Sequence, residues 1–285
     1  MKSLLEKTRD INRRLEKSAG NPVDFKEMAR VLSETIGANC YLLNRQGKIL
    51  GYGFMEGFTC PIMEDIVYRS EEFPEDYNEQ LLRMDRTHAN FGQVGNACVF
   101  RPGGEKCLFT GKLVTVVPVV GGGQRLGTLV LAKFDVEFTD EDLILAEYGA
   151  TVVGMELLRS KAEKIEEEAR KRAAVHVALG TLSYSELNAV QHILAGLDDD
   201  RSIVVASRIA ERAGIGRSVF VNALRKLESA RLIECRSLGR RGTFIRVLND
   251  KLLDELRMLE ERGWLAENGG EGWAGPRSRL IETFW

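Results

Sequence analysis

Five side chains within ten residues have the chemistry to read a nucleic acid. Arg217, Ser218, Asn222, Arg225 and Lys226 lie in "GRSVFVNALRKLE", between Gly216 and Glu228. Short polar groups can hydrogen-bond base edges or phosphate oxygens, and a guanidinium can do both. Val219, Val221, Ala223, Leu224 and Leu227 are interleaved among them, so the spacing predicts a helix over 217–230 with one apolar face. Upstream, Ala206, Ser207 and Arg208 open a second short helical pattern, "VASRIAERAG", and "IG" supplies the turn between the two. Downstream, "LIECRSLGRRGTFIRVL" reads as strand, basic turn and strand, with Arg240 and Arg241 at the tip. A helix-turn-helix followed by such a wing would place one helix in the major groove and the tip against an adjacent groove or backbone.

No constellation for covalent chemistry accompanies it. His88, His176 and His192 are the only histidines; none belongs to an HExxH pattern or has a ligand partner at helical spacing. No metal site is expected. The five cysteines (Cys40, Cys60, Cys98, Cys107 and Cys235) are scattered and include no CxxC, so reduced thiols are expected rather than a zinc ribbon or redox pair. Gly121-Gly122-Gly123 lacks the Lys-Ser/Thr of a phosphate loop and joins two strands, which predicts a hairpin turn. No catalytic residue is assigned. A nucleotide-hydrolysing enzyme and a winged helix that docks a protein instead of DNA are the less supported readings.

The charge is segregated. Between Ala206 and Val247 ten Lys and Arg face three Glu, a net +7, whereas the whole chain carries −2 and the remainder therefore −9. Such a division is expected where one domain meets phosphates and another does not. The length of 285 residues allows two domains with real cores. No apolar run approaches the roughly 18 residues needed to span a bilayer. The first twenty residues lack the apolar core of a signal peptide, so a cytoplasmic protein without a membrane partner is expected.

The elements that must position these residues follow from periodicity. Leu4, Leu5, Ile11 and Leu15 predict an amphipathic helix over 1–20, ended by Gly20 and Pro22. A second helix starts at an Asp24 cap and closes at Gly37. "NCYLLNRQGKILGYGF" reads as a hairpin, as do "KLVTVVPVV" and "RLGTLVLAKF" around the glycine turn. Between them, 59–100 reads as one or two short helices broken at Phe73-Pro74, a cover for a small ligand. Thr139 caps a long helix that is apolar at first and then charged, with Asp140, Glu141 and Asp142 in its first turn. Ser183 and Glu186 form a capping box for the next helix. The expected class is α+β: a small α/β sensor domain with helices packed on an antiparallel sheet over 1–158, a helical linker over 159–182 and a winged helix-turn-helix over 183–260. A Gly- and Trp-containing extension over 261–285 is expected to be flexible.

Four stretches resemble the CodY family of transcriptional regulators: "LLEKTRDINRRLEKSAGNPVDFKEMA", "VVPVVGGGQRLGTLVLAKF", "EDLILAEYGATVVGME" and "VNALRKLESARLIECRSLG". The resemblance covers about residues 1–260 and implies that the sensor domain over 1–158 is GAF-like. It implies a repressor active as a dimer or higher oligomer on AT-rich palindromic operators of nutrient-limitation genes. It also implies two effectors, GTP and a branched-chain amino acid (isoleucine, leucine or valine). For GTP it points to Val23, Phe25, Arg45, Lys48, Glu156 and Lys161. For the amino acid it points to Phe73, Pro74, Tyr77 and Phe100, and to a covering-loop arginine whose position here is Met63. A closed pocket needs a partner for the ligand carboxylate. With Met63 in that place, a regulator of the same fold answering GTP or another small ligand is the alternative.

Overall fold

The computed structural model describes residues 3–16, 24–92, 98–100, 107, 109, 111–194, 201–204, 214–239 and 243–261. The chain divides into two compact units, Met1–Glu163 and Lys164–Trp285.

The first unit begins with helices α1 (Leu4–Glu16) and α2 (Phe25–Ile36). Ser3 and Glu6 cap α1 reciprocally: Ser3 N–H donates to Glu6 Oε2 (2.8 Å) and Glu6 N–H to Ser3 Oγ (3.3 Å). Asp24 caps α2 by accepting from the amides of Lys26 and Glu27, and Gly37 ends it at φ +72°. Ile11 is fully buried, but Leu5 is 58% exposed. It was expected on the buried stripe; an advance of 100° per residue carries it off the line through Leu4 and Ile11.

Five antiparallel strands follow: β1 (Asn39–Asn44), β2 (Ile49–Gly53), β3 (His88–Gly92), β4 (Lys112–Gly121) and β5 (Gln124–Phe134), in the order β2-β1-β5-β4-β3. Both expected hairpins are present. The cover consists of α3 (Pro61–Asp65), a π-helical turn (Ile66–Ser70) and α4 (Glu75–Leu82), with Phe73-Pro74 at the break. The edge strand β3 was not expected. Asn90 there sits at φ +55° and the register slips between His88 and Phe91, which erases the alternation that marks a strand.

The sheet has two working faces. Cys40, Leu42, Val117, Val119, Leu129 and Leu131 join a core with α1, α2 and the start of α5 (Asp140–Gly180). Tyr41, Leu43, Val114, Val116 and Val130, on the opposite face of the same strands, join a second core under the cover. The strict period of two allows one strand to serve both. Helix α5 packs closely on β4: a Cβ at Gly154 would lie 2.3 Å from the Val120 carbonyl oxygen, so only glycine permits this approach. Its first turn is fixed by Asp142, which accepts from Lys133 Nζ (2.6 Å), Thr139 N–H (2.9 Å) and Thr139 Oγ1 (3.0 Å).

The second unit contains α6 (Tyr184–Leu194), β6 (Arg201–Val204), α7 (Arg217–Ser229), β7 (Ile233–Ser237), β8 (Thr243–Val247) and α8 (Lys251–Glu261). Its sheet runs β6-β8-β7, so the expected two-stranded wing has a third strand. The expected helix over 205–213 lies outside the described residues. The Ser183–Glu186 capping box is formed, with Ser183 N–H donating to Glu186 Oε2 at 2.8 Å.

Candidate DNA-reading surface and effector cavity

Helix α7 is two-faced. Phe220, Ala223, Leu224 and Leu227 are buried against α5, α6 and the wing. Full burial of Phe220 and Leu227 contributes roughly 1.5–3 kcal/mol each. Val221, expected on the apolar face, is 37% exposed, and Phe220 takes the buried position instead. Helical spacing puts Ser218, Asn222, Arg225 and Ser229 on the opposite face, and all four are exposed, as is Arg217. Gly216 begins the helix without a side-chain cap, leaving its positive end open to an anion.

The basic residues around α7 are not equivalent. Lys226 Nζ donates to Glu186 Oε2 (2.6 Å) and to the Thr181 carbonyl (2.9 Å), so its charge is engaged within the unit. Burial pushes the Glu186 carboxyl up, but hydrogen bonds from Lys226 and Ser183 hold it below its ordinary value. Arg236 and Arg246 both pair with Glu234, at 2.8 and 2.7 Å. Among the described residues, Arg217, Arg225 and Arg231 have no ion pair. Glu228 accepts from the Cys235 amide (3.0 Å) and fixes α7 to the wing. Ala206, Ser207 and Arg208, with Arg240 and Arg241 at the wing tip, lie outside the described residues.

The second site is a cavity between the sheet and its cover. Met63, Phe73, Tyr77 and Phe100 all line it. Pro74 does not: it begins α4 and borders a separate shallow depression with Gln46 and Glu75. The walls are aromatic: Phe73–Phe100 (5.3 Å between centroids) and Tyr77–Phe100 (5.0 Å) on one side, Phe58–Phe134 (5.5 Å) and Phe109–Phe134 (4.8 Å) on the other. Burial pushes the Tyr77 phenol up to about 12, and Tyr41 higher still, so both stay neutral. Cys60, Cys98 and Cys107 converge here although they are scattered in sequence.

Sequence reasoning missed two polar residues of the lining, Asn39 and Lys112. The signal was present: Lys112 shares a strand face with Val114 and Val116, and Asn39 shares one with Tyr41. Arg69 does not replace the arginine missing at Met63. Its side chain is 84% exposed and paired with Asp65 at 3.0 Å.

The residues implied for nucleotide binding fall in two places. Arg45 and Lys48 are exposed at the β1–β2 turn, and Phe25 opens α2 with its carbonyl close against Gly51. Glu156 and Lys161 are on α5, with Glu156 accepting from Arg159 Nε at 2.9 Å. Among the described residues no hydrogen bond or ion pair joins the two groups, and Val23 lies outside the described residues.

Comparison with known proteins follows the same division. The family model of the CodY GAF-like domain matches residues 3–181, and that of the CodY helix-turn-helix domain matches residues 201–260. The global transcriptional regulator CodY of Clostridium perfringens (strain SM101 / Type A) is 54% identical over 260 residues, covering 91% of this chain and 100% of that protein. The CodY of Clostridium tetani (strain Massachusetts / E88) is 53% identical with the same coverage. The solved cofactor-binding GAF domain of the nutrient sensor CodY from Clostridium difficile is 33% identical, with a TM-score of 0.36 over 55% of this chain and 99% of that one. Two matched family models and relatives more than half identical along their whole length place this chain in the CodY family of global transcriptional regulators.

Proposed function

We propose that the chain is an effector-gated, DNA-binding repressor. The observation that carries this reading is the exposed face of α7, where Arg217, Ser218, Asn222 and Arg225 lie opposite a fully packed apolar face. The operator is an AT-rich palindrome controlling nutrient-limitation genes. The small-molecule effectors are GTP and a ligand of the aromatic cavity, and their binding shifts the population toward the DNA-competent form. The protein works in the cytoplasm and releases no phosphate from GTP.

A palindromic site calls for a two-fold protein, and a homodimer meets that need. Support comes from α5, where Ile144, Met155 and Leu158 are 53, 58 and 41% exposed at a spacing that keeps them on one face. The narrower reading, in which the cavity no longer takes branched-chain amino acids, is favoured by the buried Met63 where an arginine was expected.

The test is binding of the full chain to a labelled AT-rich palindromic duplex and to a scrambled duplex of equal composition. Anisotropy is read with and without GTP and each branched-chain amino acid. Preference for the palindrome, strengthened by an effector and weakened by salt, is expected. Equal binding to both duplexes, unmoved by any effector, would sink the proposal.

A further inference from the structure

The second unit leaves one apolar groove uncovered. Ala173, Ala174 and Val177 near the end of α5 and Ala230 just past α7 form its floor, with Arg170 and Arg225 on its rim. Val177 is 72% exposed, more than any other large apolar side chain among the described residues. Arg225 has no ion pair among the described residues, and Arg170 reaches Glu166 only at 3.5 Å. A contiguous apolar surface rimmed by charge marks a contact site, and complementarity asks for an occupant that is both apolar and acidic.

The chain itself carries a segment of that composition. Residues 263–273, "GWLAENGGEGW", hold Trp264, Trp273, Glu267 and Glu271 and no Lys or Arg. They lie beyond residue 260, where the match to the helix-turn-helix family model ends. Helix α8 brings the chain to the groove. Asn249 Nδ2 donates to the Lys171 carbonyl (3.0 Å), Asp250 pairs with Lys171 (3.3 Å), and Glu255 Oε2 lies 3.2 Å from His176 Nε2. Five residues along α8 match five along α5, so the two helices run side by side in the same direction. Both rise about 1.5 Å per residue, which puts the end of α8 at Glu261 level with the end of α5, where Thr181 lines the groove. The chain therefore leaves α8 beside one end of the groove. From there the groove runs about 15 Å along α5, well within the reach of roughly ten residues.

We infer that the groove is the docking site of the chain's own residues 263–273, which lay an indole on Val177 and pair a glutamate with Arg225. A docked indole covers the apolar floor with a large contact area. The paired glutamate takes from α7 an arginine of its exposed face, so the segment is a competitor of DNA built into the chain. That competition rests on the reading of α7 as the DNA-reading helix; the docking does not.

Trp264, Trp273 and Trp285 are the only tryptophans, so in the full chain carrying Trp285→Phe the indole emission comes from this segment alone. The emission is expected to the blue of that of the same chain unfolded in urea, with acrylamide quenching reduced at least twofold. Val177→Asn changes no charge and alters an exposed side chain, so the thermal midpoint stays in place. In that variant quenching rises toward the unfolded value, and affinity for the palindromic duplex rises roughly threefold. Glu267→Gln combined with Glu271→Gln releases the indoles as well. Native quenching as strong as in urea overturns the docking. Shielded indoles that Val177→Asn leaves shielded overturn the groove as the site. Shielding lost on dilution gives the groove to the segment of a second copy and overturns docking within one chain. Released indoles with unchanged duplex affinity overturn the competition and leave the docking standing. Absence of duplex binding with and without Val177→Asn counts against α7 as the reading helix, while the quenching still decides the docking.

Discussion

The Lys226 ammonium lies 2.6 Å from Glu186 Oε2, so the helix that presents the reading face is anchored from behind by the capping box of α6. The same contact reaches the Thr181 carbonyl, just beyond the end of α5. Three elements therefore meet at one lysine, which sets the angle of α7 rather than spending its charge on solvent.

Lys226→Met is expected to lower the stability of the second unit by on the order of 1 kcal/mol, since the pair is only partly buried and screened. DNA affinity should fall similarly for operator and scrambled duplexes, with the slope of log affinity against log salt unchanged. Anisotropy at several salt concentrations reads both quantities. A slope reduced by about one would instead make Lys226 a direct phosphate contact.

Arg225→Ala should behave differently, because its guanidinium is exposed and has no ion pair among the described residues. If it meets a phosphate, the salt slope falls by about one. If it meets a base, discrimination at one operator position drops by about 1–3 kcal/mol. Either outcome separates it from Lys226 in the same titration.

Acid stability should depend on Asp142. Burial pushes its carboxyl up, but hydrogen bonds from Lys133 and Thr139 outweigh this and hold it below the ordinary value. The stabilisation is therefore complete above the unfolded carboxylate range of about 4 and is lost as pH falls through the lowered folded value. Urea unfolding of the intact chain at pH 7, 5, 4 and 3 should show this decline. Asp142→Asn should flatten it while costing about 3 kcal/mol at pH 7, because Lys133 is left buried without its partner.

Gly154→Ala should destabilise the first unit by about 1–3 kcal/mol. The added methyl meets the Val120 carbonyl oxygen at 2.3 Å, and neither backbone can yield cheaply. A shifted thermal midpoint checks this, and Gly92→Ala serves as a comparison in which the new Cβ meets nothing closer than Leu113 Cδ2 at 3.9 Å, an ordinary van der Waals contact.

Local chemistry was legible in the sequence. The Asp24 cap, the Gly37 stop, the Ser183–Glu186 box and the two hairpins depend on neighbours a few residues away, and all are present. Features set by distant partners were not legible. β6 is four residues long and among the described residues pairs with β8 alone, so its strand character comes from residues 39 to 45 positions away. Pro74 follows Phe73 in sequence but starts a helix, which turns it out of the cavity. Lys226 looked like one more basic residue in a basic cluster until α6 supplied its acid. The convergence of Cys60, Cys98 and Cys107 likewise exists only once the cover is folded onto the sheet.

The alternation along β5 has a mechanical consequence. Val130 belongs to the cavity side and Leu131, one peptide bond away, to the side where α5 is packed. The strand is thus a shared wall between two rooms, with the cavity on one side and the close-packed core under α2 and α5 on the other. An occupant that displaces Val130 moves Leu131 with it, so pressure in one room is registered in the other without any molecule passing between them.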